Sequence, residues 1–417
     1  MIKKIAVSVC LLFSLVGFAQ EGTSSPYSFY GIGDVKFKGT AENRAMGGLS
    51  IFPDSIHLNI QNPASYSNLR YTTLSLGGSF SATRFETESQ KEKAQRVSLD
   101  YFALGIPMGK FGAAFGLMPY SSVGYRVRSR STIGDVITQQ EFKGTGGINR
   151  AFLGLSYKIT PKFSVGAEAA YNFGQIETSS LQKVNDIQYA TRELNSSDIG
   201  GFTFNIGAMY KAKFSEKLSV YSALSYVTEA NLQSDNEREI EIVQLFTSGN
   251  QAVVDKEDVD VANTKLTIPS RLTFGAGIGE ERKWMVGAEV AFQQSSDQQN
   301  RFNDINSVTF ENAMRYTLGG FYVPKYNSFS SYFSRVTYRG GLRYEDTGLV
   351  INNKSINDAA VTVGVGLPVG GSFSNINIGF EYGKRGTVYN GLVRETYANV
   401  IIGLSLNDRW FVKRKFD

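Results

Sequence analysis

The sequence F-S-V-G-A-E-A-A-Y-N-F-G, residues 163–174, alternates between two kinds of side chain. One set is apolar with aromatic residues at both ends (Phe163, Val165, Ala167, Ala169, Tyr171, Phe173), and the other is mostly small or polar (Ser164, Gly166, Glu168, Ala170, Asn172, Gly174). Successive side chains of a β-strand point to opposite faces, so the stretch predicts a strand with one apolar face. Strands of soluble proteins usually have about 5–6 residues, whereas about 9–11 residues cross a tilted bilayer. A membrane-spanning strand is therefore predicted.

The same alternation recurs along the chain and predicts an all-β protein, a transmembrane antiparallel barrel of about fourteen strands. The predicted strands cover about residues 69–84, 96–107, 111–117, 149–159, 163–174, 202–210, 218–226, 272–279, 284–292, 314–322, 336–344, 361–367, 376–382 and 398–404. Connections near 108, 161, 216, 282, 326 and 370 are mostly short, and those near 90, 133, 187, 245, 303, 351 and 389 are mostly long and polar. This sorting is typical of a barrel with periplasmic turns and extracellular loops.

The composition agrees with this prediction. The chain contains 43 glycines, 22 tyrosines and 29 phenylalanines, which suits crowded barrel interiors and aromatic girdles at the membrane interfaces. Its net charge of +5 is scattered rather than gathered on one face, so nucleic acid is not an expected partner.

The N-terminus predicts export. Lys3 and Lys4 precede a short apolar run, and Gly17-Phe18-Ala19 places small residues where a signal peptidase cuts. We expect residues 1–19 to be a signal peptide and cleavage to fall before Gln20. Cys10, the only cysteine, lies inside this segment, so the mature chain is expected to have neither disulfides nor a cysteine metal site.

Residues 20–68 do not alternate and are interrupted by glycine and proline every few positions. The Gly47-Gly48 pair and the Asn62-Pro63-Ala64 motif belong to this segment. It precedes the first strand, and we expect it to fold inside the barrel as a hatch. Residues 69–408 form the predicted barrel, and residues 409–417 form a basic periplasmic tail.

The sequence offers little support for catalysis. His57 is the only histidine, and the chain has neither a G-x-S-x-G elbow nor a pair of histidines at metal-ligand spacing. We interpret His57 as a hydrogen-bonding residue of the hatch. No enzymatic activity, metal or cofactor is expected.

A strongly acidic stretch occupies residues 229–262 and has few opposing cations (Asp235, Glu237, Glu239, Glu241, Asp255, Glu257, Asp258, Asp260). Carboxylates are suitable calcium ligands, but the fixed spacing of an EF-hand loop is absent. A solvated outer loop, close to divalent-bridged lipopolysaccharide, is the favoured interpretation.

Arg335, Arg339 and Arg343 recur every fourth residue, so on a strand all three occupy one face. That face points to the lumen in the predicted barrel. The arginines would attract an anionic ligand, or they would pair with Glu168, Glu289 and Glu381 from other strands. The second interpretation is favoured, and both remain open.

The hatch carries a family resemblance. Gly31-Ile32-Gly33, Arg44-Ala45-Met46-Gly47-Gly48 and Asn62-Pro63-Ala64 resemble the FadL/TodX-type outer-membrane transporters of hydrophobic compounds. The stretches Ser25-Pro26-Tyr27-Ser28 and 407–415 look like the Bacteroidetes branch of that family. The resemblance implies a monomeric barrel in the bacterial outer membrane, surrounded by lipid and lipopolysaccharide.

In that family, long-chain fatty acids or other hydrophobic molecules enter the lumen passively, the hatch rearranges, and the ligand leaves sideways through a gap between strands. Pro119 and Gly124 are the candidates for such a gap, because proline cannot donate to the strand ladder. No clearly apolar ligand groove is evident in the long loops. An accessory barrel of the type IX secretion system, acting through contacts with a translocon, is the alternative implied by the resemblance.

Overall fold

The computed structural model describes residues 22–246, 250–296, 298, 308–369 and 373–410. The predicted signal peptide lies outside the described residues, as does most of the predicted tail. Within the described ranges, no helix is long and apolar enough to cross a bilayer.

The wall of the molecule is a closed antiparallel barrel of fourteen strands, which confirms the predicted fold class. We number the strands in chain order: β1 Thr72–Glu86, β2 Lys91–Met108, β3 Phe111–Ile133, β4 Val136–Thr160, β5 Phe163–Val184, β6 Tyr189–Lys213, β7 Leu218–Val227 and Ala230–Leu245, β8 Gln251–Val259, Thr264–Ile268 and Arg271–Glu280, β9 Trp284–Gln293, β10 Val308–Phe310 and Ala313–Tyr322, β11 Thr337–Ile351, β12 Lys354–Pro368, β13 Asn375–Arg385 and β14 Arg394–Asp408. Segments grouped as one strand pair with the same neighbouring strand. Both segments of β7 pair with β6, all three segments of β8 pair with β7, and both segments of β10 pair with β11.

The barrel closes between its last and first strands. β14 pairs with β1 from Arg394 opposite Glu86 to Asp408 opposite Thr72. Because closure gives each of these strands a partner on both sides, it removes the sheet edges that lipid cannot tolerate.

The two faces of β5 show why the alternating stretch forms this wall. Ser164, Glu168 and Asn172 are buried inside the barrel, whereas Tyr171 and Phe173 remain largely exposed on the outer surface. Many outward side chains at the same level are also large and apolar, as the 60% exposure of Phe202 on β6 illustrates. Such a surface suits hydrocarbon rather than water.

Several strands are longer than predicted. β4 runs from Val136 to Thr160, although alternation predicts it only from Asn149 to Ile159. The expected long loop near residue 133 is consequently a tight turn at Gly134-Asp135 between two extended strands. The alternation of apolar and polar residues ends at the edge of the apolar belt, but the strands continue to pair beyond it. We call this end of the barrel the hairpin end, and the opposite end, near residues 109 and 161, the turn end.

The acidic stretch 229–262 corrects the prediction in the same way. It is largely a pair of strands, Ala230–Leu245 and Gln251–Val259, rather than an irregular loop. Its carboxylates are partly neutralised, because Arg192 pairs with Glu241 and Lys256 pairs with Glu239. Among the described residues, no group of three histidine, cysteine or acidic side chains is arranged to hold a metal ion.

Residues 22–71, which we call the N-terminal segment, pack inside the barrel. They form two short 3-10 helices, Pro26–Phe29 and Pro63–Asn68, a two-residue strand, Asp34–Val35, and one helical turn, α1, Ala41–Arg44. Many of their apolar side chains are fully or almost fully buried against the wall, including Leu49, Ile51, Leu58, Ile60 and Tyr66. The segment therefore fills much of the lumen.

Candidate functional site in the lumen and the barrel wall

The Asn62-Pro63-Ala64 motif fixes the N-terminal segment to the wall near the turn end. The side chain of Asn62 accepts a hydrogen bond from the backbone of Ala64 (3.0 Å), which caps the short helix. Its amide group donates to the carbonyl oxygens of Ala208 (3.3 Å) on β6 and Leu224 (3.0 Å) on β7. Gly207 provides the space, because a Cβ there would lie 2.0 Å from Asn62 Oδ1.

Gly47 and Gly48 bring backbone against backbone at a second point. Both residues have positive φ angles, +72° and +101°, which glycine adopts readily. The amide of Gly47 donates to Thr362 Oγ1 on β12 (2.9 Å). A Cβ at Gly47 would lie 2.8 Å from the carbonyl oxygen of Leu342 on β11. This close approach requires glycine at position 47, and the positive φ angles favour glycine at both positions.

Arg44 at the end of α1 is the centre of a buried charge network. Its guanidinium lies 2.8 Å from a carboxylate oxygen of Glu381 on β13 and 3.6 Å from Asp100 on β2. Arg343 on β11 contacts the other oxygen of Glu381 at 3.0 Å. One wall carboxylate thus joins a wall arginine to the N-terminal segment.

The other two lumen glutamates bind the N-terminal segment rather than wall arginines. Glu168 on β5 pairs with Lys38 and accepts a hydrogen bond from the Tyr66 hydroxyl (2.8 Å). Glu289 on β9 accepts from the backbone (3.0 Å) and hydroxyl (2.6 Å) of Ser50. The predicted ladder of arginines and glutamates is therefore correct for Arg343 and Glu381 and wrong for these two.

The predicted row of three arginines is reduced to two. Arg335 ends a short 3-10 helix, Phe333–Arg335, before β11 begins at Thr337, so it does not share the strand face. Its guanidinium instead lies 5.5 Å from the ring centre of Tyr332. Arg339 does face inward, is buried and donates to Asn377 Oδ1 (2.9 Å). Alternation alone did not reveal that a 3-10 helix immediately precedes the strand.

His57 is a hydrogen-bonding residue of the N-terminal segment, as predicted. Its Nδ1 lies 2.7 Å from Asp54, and its Nε2 lies 3.8 Å from Glu42. Burial by itself would lower the pKa of His57, but the two carboxylates outweigh burial and the pKa is raised. Arg339 faces the same cluster and opposes the rise only in part. A protonated His57 therefore ties together two parts of the segment.

A cavity of about 310 Å³ remains between the N-terminal segment and the wall, toward the hairpin end. Tyr27, Ile32 and Phe310 contribute apolar surface, but the lining is predominantly polar. Its charged groups come from both sides: Asp34, Lys36, Arg44, Arg96, Asp100, Arg271, Arg315, Arg343, Glu345, Asp358, Glu381, Arg385 and Glu395. Many of them form ion pairs, such as Arg385 with Asp34 at 2.7 Å.

The cavity reaches a seam in the barrel wall. In the described residues, β2 and β3 pair from Met108 opposite Phe111 to Phe102 opposite Leu117, and their ladder ends there. Beyond that point β2 pairs with β1 and β3 pairs with β4, but not with each other. We call the separated edges, residues 91–101 of β2 and 118–133 of β3, the seam.

The N-terminal strand covers part of the seam. Asp34 lies opposite Ser122, and Val35 lies opposite Ser121, in an antiparallel ladder on the edge of β3. The amide of Lys36 extends the ladder by donating to the carbonyl oxygen of Tyr120 (2.9 Å). A segment from the lumen thus occupies part of the β3 edge that β2 leaves.

Pro119 and Gly124 both lie on the seam edge of β3. The register between β3 and β4 shifts between Pro119 and Ser121, so Tyr120 is an extra residue at the start of the seam. Gly124 keeps its place in the β4 ladder, opposite Thr145, and its amide donates to Ser28 Oγ (3.2 Å). The disturbance predicted at Pro119 is present, whereas a role for either residue in ligand passage stays a prediction.

The sequence matches a family profile described as BamG over residues 1–417. The chain belongs to the BamG family. No curated protein sequence matches this member of the family at a significant level.

Solved structures share the fold of this BamG family member. The P. putida toluene transporter TodX has a TM-score of 0.61 at 16% identity, covering 90% of this chain and 100% of TodX. The Ralstonia pickettii toluene transporter TbuX gives 0.58 at 12% identity, covering 89% and 99%. A Pseudomonas aeruginosa FadL homologue gives 0.56 at 12% identity, covering 89% and 98%.

These likenesses confirm the FadL/TodX-type resemblance at the level of the fold. The chain has the same barrel fold as these proteins, two of which are toluene transporters. Membership of the Bacteroidetes branch stays a prediction.

Sequence reasoning did not identify Arg44, Lys38 or Tyr66 as site residues. Arg44 begins the Arg44-Ala45-Met46-Gly47-Gly48 motif, and its position three residues before the glycine pair was the available signal. Its partner Glu381 is 337 residues away, so the pairing depends on barrel register.

Replacing His57 with glutamine tests the charge cluster. The raised pKa means that protonation of His57 stabilises the fold fully below the unfolded pKa, about 6.5, and that this stabilisation is lost as the pH rises through the folded pKa. We expect the thermal midpoint of the wild type to fall over that range and the midpoint of His57→Gln to change less. Circular dichroism in detergent from pH 6 to 10 measures both. Equal pH slopes would contradict the assignment.

Proposed function

We propose that the chain is an outer-membrane channel for passive uptake of long-chain fatty acids or other hydrophobic molecules. The ligand enters at the hairpin end, crosses the lumen cavity and leaves sideways through the seam, and the N-terminal segment acts as a hatch. The single observation that carries this proposal is the end of β2–β3 pairing at Phe102 and Leu117, next to the cavity.

A sideways exit suits the chemistry of an apolar ligand. Moving from a wet lumen into lipid is favourable for an apolar solute, so passage through the wall needs no energy source. The outward side chains beside the seam, Val97 and Leu99, are half exposed at the level of the apolar belt. A ligand leaving between the strands therefore meets hydrocarbon directly.

The hatch has to move for this exit to open. Asp34 and Val35 are paired with β3, and Arg385 on β13 holds Asp34 from the other side of the cavity. Arg44 is bound to both Glu381 and Asp100. The ligand, or a partner, must offset these contacts before the N-terminal strand leaves the seam.

A disulfide between the N-terminal strand and β3 tests the exit. Val35 and Ser121 are opposite each other in an antiparallel ladder, and such Cα atoms lie about 4.5–5.5 Å apart, within disulfide range. We expect liposomes that contain oxidised Val35→Cys/Ser121→Cys to take up labelled fatty acid at least tenfold more slowly than liposomes that contain the wild type. Reduction should restore the rate, because the hatch can then move.

The matched control is a disulfide in an intact part of the wall. Val363 on β12 and Phe380 on β13 are directly opposite and face outward. Oxidised Val363→Cys/Phe380→Cys should transport like the wild type. Equal uptake by the two oxidised proteins would overturn the sideways exit.

One observation favours a second candidate function. The cavity is lined by ion pairs rather than by a continuous apolar surface, and the N-terminal segment fills much of the lumen. A filled, charged lumen suits a barrel that acts through protein contacts, such as an accessory barrel of a type IX secretion translocon. This role needs no passage through the seam.

Native mass spectrometry with lipid extraction separates the two functions. A channel should retain a fatty acid or a similar amphiphile after purification in detergent, and replacing Asn62 and Pro63 with alanine should release it by loosening the hatch. An accessory barrel should carry no such ligand and should retain a large envelope protein. An empty barrel without fatty acid would contradict the channel.

A further inference from the structure

The two edges of the seam differ in the backbone partners that the described part of the chain provides for them. On β3, the N-terminal strand and Lys36 supply backbone partners from Tyr120 to Ser122. On β2, the described part of the chain supplies no ladder partner on the seam side of residues 97–101. About 17 Å of strand edge, at about 3.3 Å per residue, is left on that side.

This edge lies at the level of the hydrocarbon. Val97 is opposite Phe80 on β1, and Phe80 is opposite Val400 on β14. All three side chains point outward and are 39–51% exposed. Lipid cannot satisfy backbone groups at this depth, so a sheet edge exposed to lipid is not stable there unless protein covers it. An alkyl chain in the seam would not satisfy them either, because it has neither donors nor acceptors.

We propose that the β2 edge binds an extended segment of another polypeptide, which adds a strand to the barrel wall. Strand addition to an exposed edge is an established mode of peptide recognition, in which the backbone supplies affinity and alternate side chains supply specificity. The ladder of the N-terminal strand on β3 shows that this seam accepts a strand by backbone pairing. The proposal goes beyond uptake and does not depend on it.

The two sides of the edge define the sequence that fits. Val97 and Leu99 face the lipid, whereas Ser98 and Asp100 border the polar cavity. A strand beside them therefore needs apolar residues alternating with polar ones, as on the rest of the wall.

The charges along the seam predict the orientation of the bound segment. Toward the hairpin end, β2 carries Lys91 and Lys93 and β3 carries Arg126, Arg128 and Arg130, all largely exposed. Glu141 pairs with Arg126 and Arg128, and Glu86 pairs with Lys91. Residues 84–96 and 126–143 together carry eight lysines and arginines against five acidic residues, so cations remain in excess there. The bound segment is therefore expected to be acidic where it leaves the membrane at the hairpin end.

Hydrogen–deuterium exchange on the full mature chain in lipid nanodiscs tests the proposal. The probe is a synthetic nine-residue peptide in which valine or leucine alternates with serine, with glutamates at the end expected to lie near Lys91. Residues 97–101 should exchange faster than residues 151–155 of β4, which are paired on both sides. Saturating peptide should slow exchange at 97–101 at least tenfold and leave 151–155 unchanged.

Three controls keep the result specific. A peptide with N-methyl groups on alternate amides cannot complete the ladder and should give no protection. A scrambled peptide of the same composition tests for simple charge attraction, and oleate tests for an alkyl ligand. Slow exchange at 97–101 without peptide, or equal protection by any control, would overturn the proposal. Failure here leaves fatty acid uptake through the seam unaffected.

A cysteine version gives the position of the bound strand. Val97→Cys should form a disulfide with a peptide that carries one cysteine at a lipid-facing position. Val400→Cys lies at the same level on a strand that is paired on both sides, and it should not react. Equal reaction of the two variants would show that the peptide lies on the membrane surface and would contradict strand addition.

Discussion

The structure depends on the requirement that a chain in lipid satisfies its own backbone hydrogen bonds. Within the described residues, thirteen of the fourteen pairs of neighbouring strands meet this requirement by ladders that extend across the apolar belt. The closing pair β14–β1 is one of them. The boundary between β2 and β3 does not, because its ladder stops at Phe102 and Leu117. The N-terminal strand and the cavity meet at this point. The exception to the rule is therefore also the place where the interior of the barrel contacts the membrane.

The N-terminal segment is held by polar contacts as well as by packing. Asn62 and Gly47 attach its backbone to the wall, and Arg44, Lys38 and Asp34 are each paired with a wall residue of opposite charge. Losing one partner of a buried ion pair costs about 3–5 kcal/mol, so no single contact can be released freely. Such a segment is stable at rest, yet a ligand or partner that replaces several contacts together can displace it. This balance is compatible with a hatch.

The parts of the fold that could be predicted from the sequence are those in which lipid determines the pattern of apolar residues. Lipid imposes the period-two pattern, so the spanning part of β5 and its neighbours could be read from the sequence. The regular alternation of apolar and polar residues is absent from the outer half of β4 and from most of the acidic strands of β7 and β8, although one face of Ala230–Leu245 is buried. Those extensions were missed. Pro119 could be predicted to disturb β3 because it lacks a donor, but the width of the seam depends on how far β2 and β3 pair. The link between Arg44 and Glu381 depends on register and could not be predicted.

Labelling with a photoreactive fatty acid tests the central claim most directly. A stearate carrying a diazirine in its chain would be added to the wild-type protein in nanodiscs, irradiated and mapped by mass spectrometry. The account predicts labels on the seam edges, residues 91–101 and 118–124, and on cavity residues such as Ile32, in excess of those on lipid-facing strands such as β5 and β6. Labels spread evenly over the outer surface, with none in the cavity or at the seam, would contradict it.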